Sequence, residues 1–106
     1  MSTKKKMSDA SKFLEKLTGG KLTLGHLILA IRQGEEISQV KFAQLLGVSR
    51  QYLCDIEHGR RFLSPRAASE FAAKLGYSQK QFLRLCLQEL VDREELDLHI
   101  DVRDAA

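Results

Sequence analysis

Between Ser38 and Gly76 the chain repeats one punctuation three times. Ser38 caps a helix that stops at Gly47. Ser49 caps one that stops at Gly59. Ser64, followed by Pro65 in the first helical position, opens one that stops at Gly76. A serine hydroxyl accepts from the free N–H groups at a helix start, and proline there removes no helical hydrogen bond. Glycine past the end takes the turn that closes the helix. The pattern extends outward. Thr23 can cap a helix from Leu24 to about Gln33, with Leu24, Leu27, Ile28 and Ile31 at the helical period and Gly34 at its end. Ser8 can open a helix striped by Phe13, Leu14 and Leu17 and ended by Gly19-Gly20. Ser78, with Gln81 three residues on, opens the last helix, about Gln79 to Glu95. The expected fold class is all-α, with about six helices.

A chain of 106 residues, 43% of them hydrophobic, is one domain with enough apolar side chains for a core. Its formal charge of +3 is unevenly spread. Residues 89–106 carry seven carboxylates against two arginines, and residues 1–88 carry fifteen lysines and arginines against seven carboxylates. A basic body with an acidic tail suits a polyanion partner for the body alone. Residues 1–7, MSTKKKM, read as a disordered basic arm. Its Lys4, Lys5 and Lys6 form a solvated tail, or else follow a minor groove.

The segment Gln39 to Arg60 carries the chemistry. Ala43 sits mid-helix, where two helices cross closely only over a small side chain. Gly47 is free to take positive φ, and Val48 plugs the turn. Phe42, Leu46, Leu53 and Ile56 form the shared core. Apolar, alanine, glycine, apolar, apolar at these offsets is a helix-turn-helix. Ser49, Arg50, Gln51, Cys54, Asp55 and His58 are left outside. A DNA major groove admits one α-helix, arginine can donate twice to guanine, and glutamine can pair with adenine. Arg50 and Gln51 stand at the N-terminal end, where a recognition helix meets bases. Free N–H groups and the positive dipole end face phosphates there. The expected partner is double-stranded DNA.

With these residues in view, Leu24 to Leu83 resembles the Xre/Cro phage-repressor type of helix-turn-helix. The blocks SQVKFAQLLGVS, IEHGR and FAAKLGYS carry the resemblance. It implies a lambda-repressor-like helix-turn-helix bundle. It also implies a sequence-specific transcriptional regulator, a repressor that binds a pseudo-palindromic operator as a homodimer. Arg50 and Gln51 match the principal base-reading positions, and Asp55, one turn on, a further one. Gln39 matches a glutamine that braces phosphate and the recognition helix. Ser49, Tyr52 and His58 join it as phosphate-contacting or positioning residues. Arg60, Arg61 and Arg66 fall in the family's phosphate-contacting loop. Arg32 and Glu57 match a partly buried ion pair that ties the first family helix to the recognition helix.

Two departures stand out. Asp55 repels phosphate unless it accepts from a cytosine amino group or a neighbouring arginine. Phe62 and Leu63, in RRFLSP, replace polar residues and suit docking on the core or on a partner. Many family members also bind a protein toxin, so an antitoxin with a cognate toxin partner is the alternative function.

An enzyme reading fails on inventory: the chain offers no phosphate-cradling glycine loop, no nucleophile with a base and no carboxylate pair in an apparent cleft. His26, His58 and His99 share no ligand spacing, so no metal or cofactor is expected. Cys54 and Cys86 lie far apart and suit plain thiols in a reducing cytosol. No secretory segment or membrane-spanning run is apparent, so the expected location is cytoplasmic.

The tail LDLHIDVR alternates with period two. Leu96, Leu98, Ile100 and Val102 point one way, and Asp97, His99, Asp101 and Arg103 the other, which is a strand pattern. The rest of the chain offers no strand to pair with. Residues 96–106 are therefore expected to form a short C-terminal β-strand that dimerises, after a DNA-binding domain of residues 8–95. Two tails would pair antiparallel across a two-fold axis and cover the surplus apolar face of the last helix. With Ile100 on the axis, Asp97 faces Arg103, His99 faces Asp101 and Leu98 faces Val102. With His99 on the axis, Asp97 faces Asp101, two like charges.

Overall fold

In the computed structural model, residues 22–105 are described and form five helices. They are α1 (Leu24–Gly34), α2 (Gln39–Leu46), α3 (Arg50–Glu57), α4 (Pro65–Leu75) and α5 (Gln79–Arg93). Five of the about six expected helices thus fall within the described residues. The helix expected after Ser8, and the basic arm before it, lie outside them.

Every helix starts on a hydroxyl cap. Thr23 accepts from the His26 N–H at 3.1 Å, Ser38 from Lys41 at 3.2 Å and Ser49 from Tyr52 at 3.0 Å. Ser64 accepts from Ala67 at 3.1 Å and Ser78 from Gln81 at 3.2 Å. Each such cap contributes about 1 kcal/mol relative to alanine. Gly47 and Gly76 end α2 and α4 in the left-handed conformation, at φ 75° and 74°. α1 ends otherwise: Gly34 is its last helical residue, and Glu36 takes the positive φ of 55°.

Leu27 and Ile28 of α1, Phe42 and Leu46 of α2, Leu53 and Ile56 of α3, Ala68 and Ala72 of α4 and Phe82 of α5 are almost fully buried. Burying each large one contributes about 1.5–3 kcal/mol. α4 packs along α5 and α2 against α3, while α1 crosses α3 and α5. The α1–α3 crossing is tight. A Cβ on Gly25 would lie 2.2 Å from the Ile56 carbonyl oxygen, so only glycine lets the two backbones approach this closely. A second tie joins α4 to the helix-turn-helix: Lys74 Nζ donates to the Leu46 carbonyl at 2.7 Å, satisfying an open carbonyl at the end of α2.

Phe62 and Leu63, after α3, take different places. Leu63 is buried in the core, and its carbonyl accepts from Cys86 Sγ at 3.2 Å. Phe62 stays half exposed beneath the Arg93 guanidinium, which stacks 3.7 Å from the ring centre.

The tail departs from expectation. α5 stops at Arg93 and not Glu95, because Glu95 takes a φ of 58° and turns the chain back. Residues 96–105 form no strand ladder within the described residues. A single chain offers the tail no neighbouring strand, so Leu96, Leu98, Ile100 and Val102 pair with none. The tail runs back beside α5 instead. Gln88 Nε2 donates to the Leu98 carbonyl and Gln88 Oε1 accepts from the Ile100 N–H, both at 2.8 Å. Lys80 meets Asp104 at 2.7 Å. Leu90, Leu96 and Leu98 remain about half exposed. No described helix is long and apolar enough to cross a membrane.

Candidate nucleic-acid interface

α3 is amphipathic. Leu53 and Ile56 anchor it in the core, and Arg50 and Gln51 are exposed at its N-terminal turn. Ser49, its cap, is exposed too, and leaves the first N–H groups of α3 at the surface. Tyr52, half buried, flanks them.

Behind this surface lies a buried carboxylate. Glu57 is 2% exposed. Arg32 of α1 donates to it twice, Nε to Oε2 at 2.7 Å and Nη2 to Oε1 at 3.1 Å. Arg32 Nη1 also donates to the Ile37 carbonyl at 3.1 Å. Gln39, the first residue of α2, donates its Nε2 to Glu57 Oε1 at 2.9 Å. The other end of the same amide, Oε1, accepts from Arg50 Nη1 at 3.0 Å. One hydrogen-bonded chain therefore runs Arg32, Glu57, Gln39, Arg50 and joins α1, α2 and α3. A buried charge held by several donors resists displacement, because each alternative strands it unpaired.

Asp55 anchors a second, exposed network. It accepts from Gln51 Nε2 and from Arg60 Nε, each at 2.9 Å. The bond from Arg60, then that from Gln51, holds its carboxyl below the ordinary carboxylate value, so it stays ionised at neutral pH. A neighbouring arginine thus meets the aspartate that would otherwise oppose phosphate. Arg60 also reaches a second partner: its Nη2 donates to Cys54 Sγ at 3.3 Å. His58 Nδ1 lies 2.8 Å from the Cys54 carbonyl oxygen. The Arg61 guanidinium stacks 4.7 Å from the Tyr52 ring centre, and Arg66 is exposed in the first turn of α4.

Arg50 belongs to the first network, Gln51, Asp55 and Arg60 to the second, and Tyr52 and Arg61 form a separate stacked pair, while Arg66 enters from α4. Sequence reasoning missed the clamp made by Gln88 and the link from Cys54 to Arg60.

The helix-turn-helix family profile matches residues 28–82, just over half of the chain. Among curated proteins, the ImmF control region 10 kDa protein of Bacillus phage phi105 is 43% identical over 49 residues. That alignment covers 46% of this chain and 54% of the phage protein, so the chain spans about half the length of this relative. No solved structure matches. With α2 and α3 at the centre of the matched stretch and a phage control-region protein as a relative, the chain belongs to the Xre/Cro, phage-repressor type of the helix-turn-helix family.

Proposed function

We propose that this protein is a sequence-specific duplex-DNA-binding transcriptional regulator, a repressor that acts as a homodimer on a pseudo-palindromic site. One observation carries the reading: the exposed N-terminal turn of α3 is held from behind by a buried ion pair, through Gln39 to Arg50. Fixed geometry of that kind serves base reading, where a misplaced donor loses its acceptor. A surface needed only for loose phosphate attraction has no use for it.

Arg50 and Gln51 are the proposed base readers. Asp55 sets the position of Gln51 and of Arg60 and offers an acceptor for a cytosine amino group. Gln39, Ser49, Tyr52, His58, Arg60, Arg61 and Arg66 form the proposed phosphate-contacting and positioning set. The family membership and the phage control-region relative support regulation as the role.

Selection of bound fragments from random duplexes tests the reading. The expected result is one enriched motif with two-fold related halves, whose affinity exceeds that of scrambled duplex by at least about a thousandfold at physiological salt. Uniform recovery of all sequences would overturn it.

A further inference from the structure

The tail's two backbone edges have different fates, and only one is used. In extended backbone, the carbonyl of one residue and the N–H two residues on point to the same side, and successive residues point to opposite sides. The Leu98 carbonyl and the Ile100 N–H are such a pair. The Gln88 amide takes both at 2.8 Å, in the way a neighbouring strand's peptide would. Leu98 N–H turns back to the Leu96 carbonyl at 3.0 Å, a tight turn of the kind found at strand ends, which sets Asp97 at the start of the pairing segment. The opposite edge carries the backbone groups of His99 and Asp101. Their N–H groups find no partner among the described residues. A strand edge left open in this way is a template for another strand.

We infer that Gln88 holds the tail as a preformed edge strand and that its open edge, at His99 and Asp101, pairs antiparallel with the same edge of a second copy. The inference rests on the homodimer proposed above and deepens it, by naming the pairing edge and the residue that prepares it. The charges select a second copy as the occupant. With Ile100 on the two-fold axis, His99 and Asp101 form the hydrogen-bonded pair from this edge, and Asp97 faces Arg103. Asp97 and Asp101 then each face a basic or titratable residue. Moving the axis to His99 sets Asp97 against Asp101, and moving it to Asp101 sets two Asp101 side chains together. The chain is thus complementary to itself in one register. Within one chain Arg103 already meets Asp101 at 2.8 Å, with both side chains largely exposed, so both are free to regroup. The half-exposed Leu96 and Leu98, on the tail itself, supply apolar surface beside the edge.

Sedimentation of the full chain without DNA tests this, with three variants. Asp97→Arg and Arg103→Asp each place like charges opposite one another twice per dimer. Each alone should raise the dimer dissociation constant at least about fivefold. An equimolar mixture should recover the wild-type constant, because a mixed pair restores both oppositions. Gln88→Ala should weaken the dimer with the melting temperature almost unchanged, since it releases the tail and not the core. The inference is overturned if Asp97→Arg tightens the dimer, if the mixture gains nothing, or if the wild-type chain is monomeric at concentrations of tens of micromolar. A tail that serves a different protein would give that last result. DNA reading is scored separately: a monomeric variant that still prefers a single half-site keeps the base-reading proposal and leaves only the edge in question.

Discussion

Arg50 and Glu57 are joined through one side chain, Gln39, which donates to the carboxylate and accepts from the guanidinium. They lie seven positions apart along α3, one at its exposed start and one at its buried end. The bridge comes from α2, so the angle between the two helices of the motif is written into the position of Arg50. A change at the buried end should therefore be felt at the exposed end.

Glu57→Ala tests that coupling. It removes the carboxylate and strands the Arg32 guanidinium, whose side chain is 17% exposed. Breaking a buried pair from one side costs about 3–5 kcal/mol, and the partial exposure of Arg32 places this case near the lower end. Melting should fall by roughly 10 °C or more for a domain of this size. Gln39→Ala leaves the ion pair intact. It should lower specific DNA affinity with a far smaller loss of melting temperature. Thermal denaturation and binding assays on both variants decide, and equal effects of the two on both readouts would contradict the bridge.

Gly25→Ala should destabilise. In an ordinary helix interior this substitution stabilises by about 1 kcal/mol. Here the new methyl would meet the Ile56 carbonyl oxygen at 2.2 Å, a backbone atom that cannot swing aside as a side chain would. α1 must move off α3, which loosens Leu27 and Ile28 in the core. A melting temperature at or above that of the wild type would show that the helices can separate without loss.

These residues mark what the sequence discloses. The five caps were legible because capping is local: a hydroxyl and an N–H three residues on settle it. The motif was legible because Ala43, Gly47, Leu53 and Ile56 sit at fixed offsets within one short stretch. Gly25 was not, since its meaning lies in a carbonyl thirty-one positions away. Alone, it reads as a weak point in α1. Gln88 was silent for the same reason. The tail's alternation was visible, but periodicity names a strand and not its partner, and in the single chain the partner on one edge is a side chain. At the site, Asp55 looked like an obstacle to phosphate until Arg60 and Gln51 were seen to share it.

Glu89 should make stability depend on pH. It is largely buried and accepts from the Leu24 N–H at the start of α1. Burial pushes its carboxyl above the ordinary 4.5, against the downward pull of that bond and of Arg93. A raised acid binds protons more readily in the folded chain than in the unfolded one. Its contribution to stability is therefore present at low pH and is lost as pH rises from about 4.5 through the raised value. Glu89→Gln keeps an oxygen for the Leu24 N–H and removes the titration. The variant should gain stability relative to wild type as pH rises from 4 to 7. Denaturant unfolding at both pH values measures this, and a stability difference that stays constant across the range would show that Glu89 is not the group responsible.

The proposed base readers and the proposed phosphate contacts should separate in salt titrations. Arg50→Ala or Gln51→Ala should each cost roughly 1–3 kcal/mol on the preferred site, relax the choice at one base and leave binding to scrambled duplex nearly unchanged. Arg61→Ala should weaken specific and scrambled duplex alike and make the dependence on salt shallower by about one phosphate's share. Asp55→Ala should act in the opposite sense. It frees Arg60, which now donates to the carboxylate, and removes a negative charge from the face of α3. Affinity for scrambled duplex should rise and the salt dependence should steepen by about 0.9 in logarithmic slope for each phosphate gained. Discrimination should fall at the same time, because Gln51 loses the acceptor that now orients it. The measurement is binding at several salt concentrations on both duplexes. If Arg50→Ala and Arg61→Ala give the same pattern on both, Arg50 is a phosphate contact and the base-reading assignment fails.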